Sequence, residues 1–147
     1  MDEVLFYEEK WYMFSNFSSF AVRWRDQDWM TVEHAYQASK FTDEVVRMLV
    51  ASARSAHDSK KMARSHYDKI RPNWTDIKLD IMAEILRAKL EQHPFVQQKL
   101  LETGDAIIME NSPKDSFWGR GPDWNGQNHL GTLWMKLRTE LRAKQPV

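Results

Sequence analysis

The sequence predicts an α+β fold, a helix-dominated single domain over residues 1–147 with a small β-sheet. Three observations predict it. Apolar residues recur at helical spacing along much of the chain, most clearly at Ile77, Ile81, Ile85 and Ala88. Strand-like runs are short and few: VLFY at 4–7, FAVRWR at 20–25 and DAIIME at 105–110. A length of 147 residues suits one sizeable core, and no repeat, low-complexity tract or linker divides it.

The elements follow in order. VLFY is a short strand. FAVRWR alternates apolar and polar residues, RDQD turns the chain, and the run to Trp29 completes a β-hairpin. Thr31 is placed to cap a helix over 32–41. A second helix begins after Thr42 or Asp43 with Val45, Val46, Leu49 and Val50 on one face. Ser55 followed by Asp58 has capping-box spacing and opens a basic helix to about Tyr67. Pro72 interrupts, and Asn73 with Asp76 opens the longest helix. Pro94 starts a short helix that Gly104 ends. DAIIME reads as a buried strand, and 111–127 as a long loop of turn formers. A last amphipathic helix over about 130–143 turns Leu130, Leu133, Trp134, Leu137 and Leu141 inward.

Composition narrows the function classes. Net charge is zero, which argues against strong electrostatic attraction to nucleic acid or membrane. The absence of cysteine excludes disulfides, thiolate chemistry and a cysteine zinc site. The five histidines lack ligand spacing, so neither metal nor cofactor is expected. The N-terminus is acidic without an apolar run, and no stretch approaches the ~20 apolar residues that span a bilayer. A soluble cytoplasmic protein is expected, its oligomeric state open. Seven tryptophans are more than core packing alone usually asks for.

TVEHAYQASKF, 31–41, sets Glu33 and Lys40 seven residues apart. That is nearly two helical turns, so both project from about the same side with Tyr36 and Gln37 between them. Glu33 is then a candidate acid/base or nucleophile, and Lys40 a phosphate anchor or imine-forming amine. A surface helix with solvated charges is the other reading. His34 points elsewhere, as a hydrogen-bonded structural histidine.

The loop 111–127 gathers Asp115, Phe117, Trp118, Arg120, Asp123 and Trp124 among Gly119, Gly121 and Gly126. Glycines such as Gly119 permit close approach to a ligand. Trp118 is suited to stack on a base, Asp115 to stabilise positive charge at a sugar carbon, and Arg120 to take a phosphate. The alternative is a structured crossover whose tryptophans fill the core and whose aspartates cap turns. FSNFSSF, 14–20, is either a turn pinned by phenylalanines or a pocket lip in which Asn16 offers polarity and Phe17 an aromatic wall. Arg54, Lys60, Lys61 and Arg64 form a basic run, either a solvated helix face or a phosphate-facing edge.

Taken in order, FSNFSSF, TVEHAYQASKF, RPNWTDIKLDIM and DSFWGRGPDWNGQNHLG resemble the motif set of the YbiA-like family, also called NADAR, over almost the whole chain. The resemblance implies a YbiA-like fold and hydrolysis of N-glycosidic bonds. One branch of the family cleaves phosphoribosylamino-pyrimidine intermediates of the riboflavin pathway, releasing ribose 5-phosphate. Another removes ADP-ribose from modified guanine, in nucleotides or in DNA. The implied partner is a small ribosyl-phosphate or ADP-ribosyl substrate. By the same resemblance Glu33 matches the family's key acid and Lys40 a sugar-reactive lysine. Trp74, Asp115 with Trp118, and Asn16 match its other functional patches. Trp124 departs from the pattern, standing where a small residue, commonly glycine, is expected.

That chemistry agrees with the residues. Breaking a ribosyl C–N bond builds oxocarbenium character, which a carboxylate such as Glu33 or Asp115 stabilises. Stacking by Trp74 and Trp118 on a flat base is worth ~1–3 kcal/mol each. Two other classes stay open: a non-catalytic sensor that binds ADP-ribose or a related nucleotide, and an interaction protein that docks a partner on exposed tryptophans.

Overall fold

The computed structural model describes residues 2–145. Contacts divide the chain into two compact units: one takes in the chain up to Ser15 and from His93 onward, the other is Asn16–Gln92.

The first unit is built on two strands distant in sequence. β1 (Glu3–Phe6) pairs in parallel with β4 (Ile107–Glu110), in a register that sets Val4 beside Ile108 and Phe6 beside Glu110. Period-2 alternation buries Val4, Phe6 and Ile108 completely. Ile107 is half exposed, so the strand expected to be buried throughout has one open face. α5 (Pro94–Glu102) starts on Pro94, whose missing N–H is no loss at that position. It ends where Gly104 takes a left-handed φ of 58°. α6 (His129–Ala143) packs against β4 and α5, burying Leu130, Trp134 and Leu137. Leu133 and Leu141, also expected inward, are half-buried. The Trp134 indole N–H donates to the Phe14 carbonyl at 3.0 Å, and its ring lies 5.2 Å from the Phe14 ring. A buried Trp thus satisfies its only polar atom.

The second unit carries the hairpin and four helices. β2 (Val22–Trp24) and β3 (Gln27–Trp29) are antiparallel, joined by Arg25 and Asp26. Both joining residues have positive φ, 51° and 62°, the signature of a two-residue turn that matches strand twist. The turn is tighter than the four-residue RDQD expectation, and Gln27 and Asp28 belong to the strand. Gln92 clamps this hairpin: its Oε1 accepts from the Arg23 N–H at 2.8 Å and its Nε2 donates to the Arg23 carbonyl at 2.7 Å.

α1 (Val32–Ala38) packs against α2 (Glu44–Ala51), α3 (Ala56–Ser65) and α4 (Trp74–Gln92). Thr31 caps α1 as expected, accepting from the His34 N–H. The helix stops at Ala38 rather than at residue 41. Ser39 Oγ donates to the Ala35 carbonyl, and the next amides, Lys40 and Phe41, bond three residues back to Gln37 and Ala38. The last turn tightens, and Lys40 sits just past the helix end. Asp43 caps α2 through the amides of Val45 and Val46. The apolar face expected there is half open: Val46 and Val50 are buried, whereas Val45 and Leu49 are exposed. A helix of two turns against one neighbouring layer buries a single i, i+4 stripe. Ser55 accepts from the Asp58 amide, as the capping-box spacing predicts. Asn73 does not cap α4 with its side chain; its Oδ1 accepts from Arg71 Nε instead.

Candidate functional site

Every residue of α1 is buried. Glu33 is 5% exposed, Gln37 3% and His34 0%, which rules out the surface-helix reading. Three neighbouring helices leave α1 no solvent face, so its polar side chains need internal partners. His34 finds them: Nε2 donates to the Ala53 carbonyl at 3.0 Å, and Nδ1 lies 2.8 Å from Thr31 Oγ1. It is the structural histidine the sequence predicts.

Glu33 is held from two directions. Its amide donates to the Asn16 carbonyl at 3.1 Å, and its Oε2 accepts from Gln37 Nε2 at 2.9 Å. The second bond turns Gln37 Oε1 the other way. Neither that oxygen nor Asn16 Oδ1 has a hydrogen-bond partner among the described residues. Each buried acceptor left unmade costs about 1–3 kcal/mol. Two such unmade acceptors, one on the residue that bonds the Glu33 carboxylate, suit a ligand rich in O–H or N–H donors, such as a sugar.

Lys40 completes the group. Its ammonium lies 5.5 Å from the centre of the Tyr36 ring, and that ring meets Trp74 at 5.2 Å. The Lys40 carbonyl accepts from the Arg71 amide at 2.8 Å, which fastens the segment leading into Trp74. Burial pushes the Lys40 pKa below the ordinary lysine value; Glu33 opposes the shift, and the charges of Lys60, Lys78 and Arg64 add to it. An amine so placed carries a larger neutral, nucleophilic fraction at a given pH.

The second unit therefore brings together Asn16, Phe17, Glu33, Tyr36, Gln37, Lys40 and Trp74. Trp74 is 8% exposed and serves first as a packed wall. Lys78, one turn beyond Trp74 on α4 and not singled out from the sequence, adds its charge to those bearing on Lys40.

Asp115, Trp118, Gly119 and Arg120 belong to the first unit. Asp115 Oδ1 accepts from the amides of Phe117 and Trp118 at 3.0 and 2.8 Å, so this aspartate does cap a turn. Trp118 is half-buried and edge-on to Phe117 at 4.8 Å. A Cβ on Gly119 would lie 2.9 Å from the Glu110 carbonyl oxygen, so the close approach there is backbone on backbone. Arg120 donates to Asn111 Oδ1 and the Gly121 carbonyl and stacks 3.9 Å over Trp124. Trp124 has a left-handed φ of 61°, a conformation that glycine takes without strain. The loop closes on Asn128, which accepts from the Glu110 amide and donates to the Ile108 carbonyl. A groove of about 400 Å³ in this unit, bordered by Trp11, Tyr12, Phe95 and Lys99, is lined by none of the sequence-predicted site residues. Among the described residues no group of three or more His, Asp or Glu is placed to hold a metal, and no helix is long and apolar enough to cross a membrane.

The NADAR domain model matches residues 5–142. The chain belongs to the NADAR family. Among curated NADAR relatives, the N-glycosidase Npun_R5314 of Nostoc punctiforme is 39% identical over 132 residues, 88% of this chain and 85% of that protein. The N-glycosidase YbiA of Escherichia coli is 38% identical over 132 residues, 90% of this chain and 82% of YbiA. The NMR structure of E. coli YbiA superposes with a TM-score of 0.87 and 32% identity, over 100% of this chain and 92% of that one. The YbiA-like α+β fold expected from the motifs is therefore the fold observed. The riboflavin biosynthesis protein VVA0006 of Vibrio vulnificus is 35% identical over 145 residues, 97% of this chain and 40% of that longer protein.

Proposed function

We propose that this NADAR protein is an N-glycosidase that hydrolyses the ribosyl C–N bond of a phosphoribosylamino-pyrimidine of the riboflavin pathway, releasing ribose 5-phosphate. The observation that carries the reading is the pairing of a buried, amide-held Glu33 with Lys40, whose pKa is lowered by burial, at the end of the same helix. The names of the relatives, N-glycosidase and riboflavin biosynthesis protein, support the bond and the substrate class.

The chemistry follows from the two groups. The neutral Lys40 amine adds to C1 of the sugar. The bond from C1 to the base nitrogen breaks; the Glu33 carboxylate takes the proton that the attacking amine sheds and passes it to that leaving nitrogen. The displacement leaves a glycosylamine on Lys40. The bond from C1 to the ring oxygen then breaks, that oxygen takes a proton, and the open sugar is held as a lysine imine that water hydrolyses to free the amine and the sugar aldehyde. The Glu33 carboxylate stabilises positive charge at C1 as it develops. Gln37 Oε1 and Asn16 Oδ1 accept from the sugar hydroxyls, and Trp74 with Tyr36 walls the site.

The test is release of ribose 5-phosphate from 5-amino-6-(5-phosphoribosylamino)uracil. Glu33→Gln should lower kcat by about 10²–10⁴-fold. Borohydride added during turnover should leave a sugar adduct on Lys40 by mass, absent in Lys40→Arg. Release without any adduct would replace the amine with direct attack by water. No release by the wild type would discard this substrate, and ADP-ribosylated guanine would be tried next.

A further inference from the structure

We propose that Lys60 and Arg64 of α3, with Lys78 of α4, form the seat for the phosphate of the sugar substrate beside Lys40. This rests on the N-glycosidase reading and adds to it the part of the substrate that α1 does not bind.

The argument begins with which face of α3 these residues occupy. Ala56, Ser59 and Ala63 are its buried stripe. Lys60 and Arg64 each follow a member of that stripe by one residue, so they share one edge of it, and both are exposed. They are one turn apart, and like charges at that spacing are unfavourable on an isolated helix. Neither makes an ion pair among the described residues, although α3 carries Asp58 in its first turn.

One contact and one spacing relate these cations to α1. The Lys60 ammonium lies 6.0 Å from the centre of the Phe17 ring, and Phe17 follows Asn16, whose carbonyl receives the Glu33 amide. Lys78 stands one turn beyond Trp74, whose ring meets Tyr36, the residue beneath the Lys40 ammonium. The charges of Lys60, Lys78 and Arg64 bear on Lys40 and are opposed by the carboxylate of Glu33. A chain with zero net charge thus sets a group of positive charges beside Lys40. A phosphomonoester carries about −1.5 to −2 charge at pH 7, and with its three acceptor oxygens it neutralises such a group. The diphosphate of ADP-ribose offers the same chemistry.

The test uses the intact chain and three probes: ribose, ribose 5-phosphate and ADP-ribose. By calorimetric titration the wild type should bind ribose 5-phosphate at least tenfold more tightly than ribose. Lys60→Ala/Arg64→Ala should abolish that preference and leave the affinity for ribose unchanged. Lys61→Ala, also exposed on α3 but not among the charges bearing on Lys40, should behave as wild type. Thermal unfolding of each variant checks the fold. In turnover the double variant should raise KM tenfold or more with kcat within about threefold. Wild-type affinity for ribose 5-phosphate in the double variant would overturn the seat, whatever the enzyme cleaves. Loss of phosphate preference in a protein with no N-glycosidase activity would keep the seat and discard the reaction. ADP-ribose binding that depends on the same two residues and exceeds that of ribose 5-phosphate would assign the seat to a diphosphate.

Discussion

Helix α1 and the loop 111–128 carry the two sets of candidate residues, and they are built by opposite means. In α1 the backbone is held by its own ladder, a Thr31 cap and the Asn16 carbonyl, so the side chains of Glu33 and Gln37 are not needed to hold it, and Gln37 Oε1 has no partner among the described residues. In the loop no regular ladder exists, and side chains hold the backbone instead. Asp115 takes two amides, Asn128 takes an amide and a carbonyl, and Arg120 takes an asparagine and a carbonyl. Polar residues in a regular element are available to a substrate, whereas those in an irregular one are first employed in the fold. Variants in α1 should therefore cost activity with the fold intact, and variants in the loop should cost the fold.

The largest expected effect is that of Glu33→Gln. It removes the charge, keeps an acceptor for Gln37 Nε2, and should lower kcat by about 10²–10⁴-fold while stability changes by under ~1 kcal/mol. A large loss of stability in a urea titration would break the comparison. Next is Gly131→Ala where the loop meets α6. The added Cβ would lie 2.1 Å from the Ile108 carbonyl oxygen and 2.5 Å from the Asn128 side chain. Neither can retreat without opening the loop's closure, so a loss of roughly 3 kcal/mol or more is expected.

Asp115 sharpens the contrast. Asp115→Ala frees two amides and should cost about 1–2 kcal/mol. Asp115→Asn keeps the accepting oxygen and should retain most of that stability, so equal losses in the two variants would show that charge rather than geometry holds the turn. The smallest effect is expected at the exposed tip. Trp124→Gly relieves a left-handed φ worth ~1–2 kcal/mol but loses the Arg120 stack and loosens the unfolded chain by ~0.5–1 kcal/mol. The net change in melting should correspond to under ~1 kcal/mol.

The second unit offers one further contrast, between two amines whose pKa burial lowers. Lys40 is half-buried under the opposing pull of Glu33, whereas Lys89 is fully buried, donates to Ser18 Oγ at 3.0 Å, and has its pKa pushed down by burial to about 7. Between about pH 7 and the ordinary lysine value near 10.4 the unfolded chain binds the proton that the folded one has released. Stability should therefore rise with pH across that window, by up to about 1.4 kcal/mol per unit, and should lose the full penalty of desolvation only above it. Lys89→Met should flatten the slope. A slope unchanged in the variant would mean that Lys89 keeps its proton when folded.

Much of α1 was legible in the sequence. Thr31 named its start, and the seven-residue step from Glu33 to Lys40 named two groups whose charges do bear on each other. Its burial on every side was not legible. His34 reads as a bonded structural residue, but for Glu33 a solvated surface position stays open until the internal partners of the helix are known, and those partners are Asn16 and Gln37. Its end was also hidden, because Ser39 folds back on the Ala35 carbonyl only once the chain has turned. The hairpin was legible from alternation, but its tight turn was not, since Arg25 is an unusual residue for positive φ and no glycine marks the turn. The parallel partner of β1 lies about a hundred residues away, and nothing local in either strand announces it.

That pairing has a consequence for synthesis. Residues 16–92 form a continuous stretch, whereas β1 waits for a strand made much later. At roughly 5–20 residues per second on a ribosome, the delay for about a hundred residues is about 5–20 s. During that interval the segment bearing Glu33 and Lys40 can begin to organise vectorially, while the nascent β1 edge stands open and needs shelter from other chains.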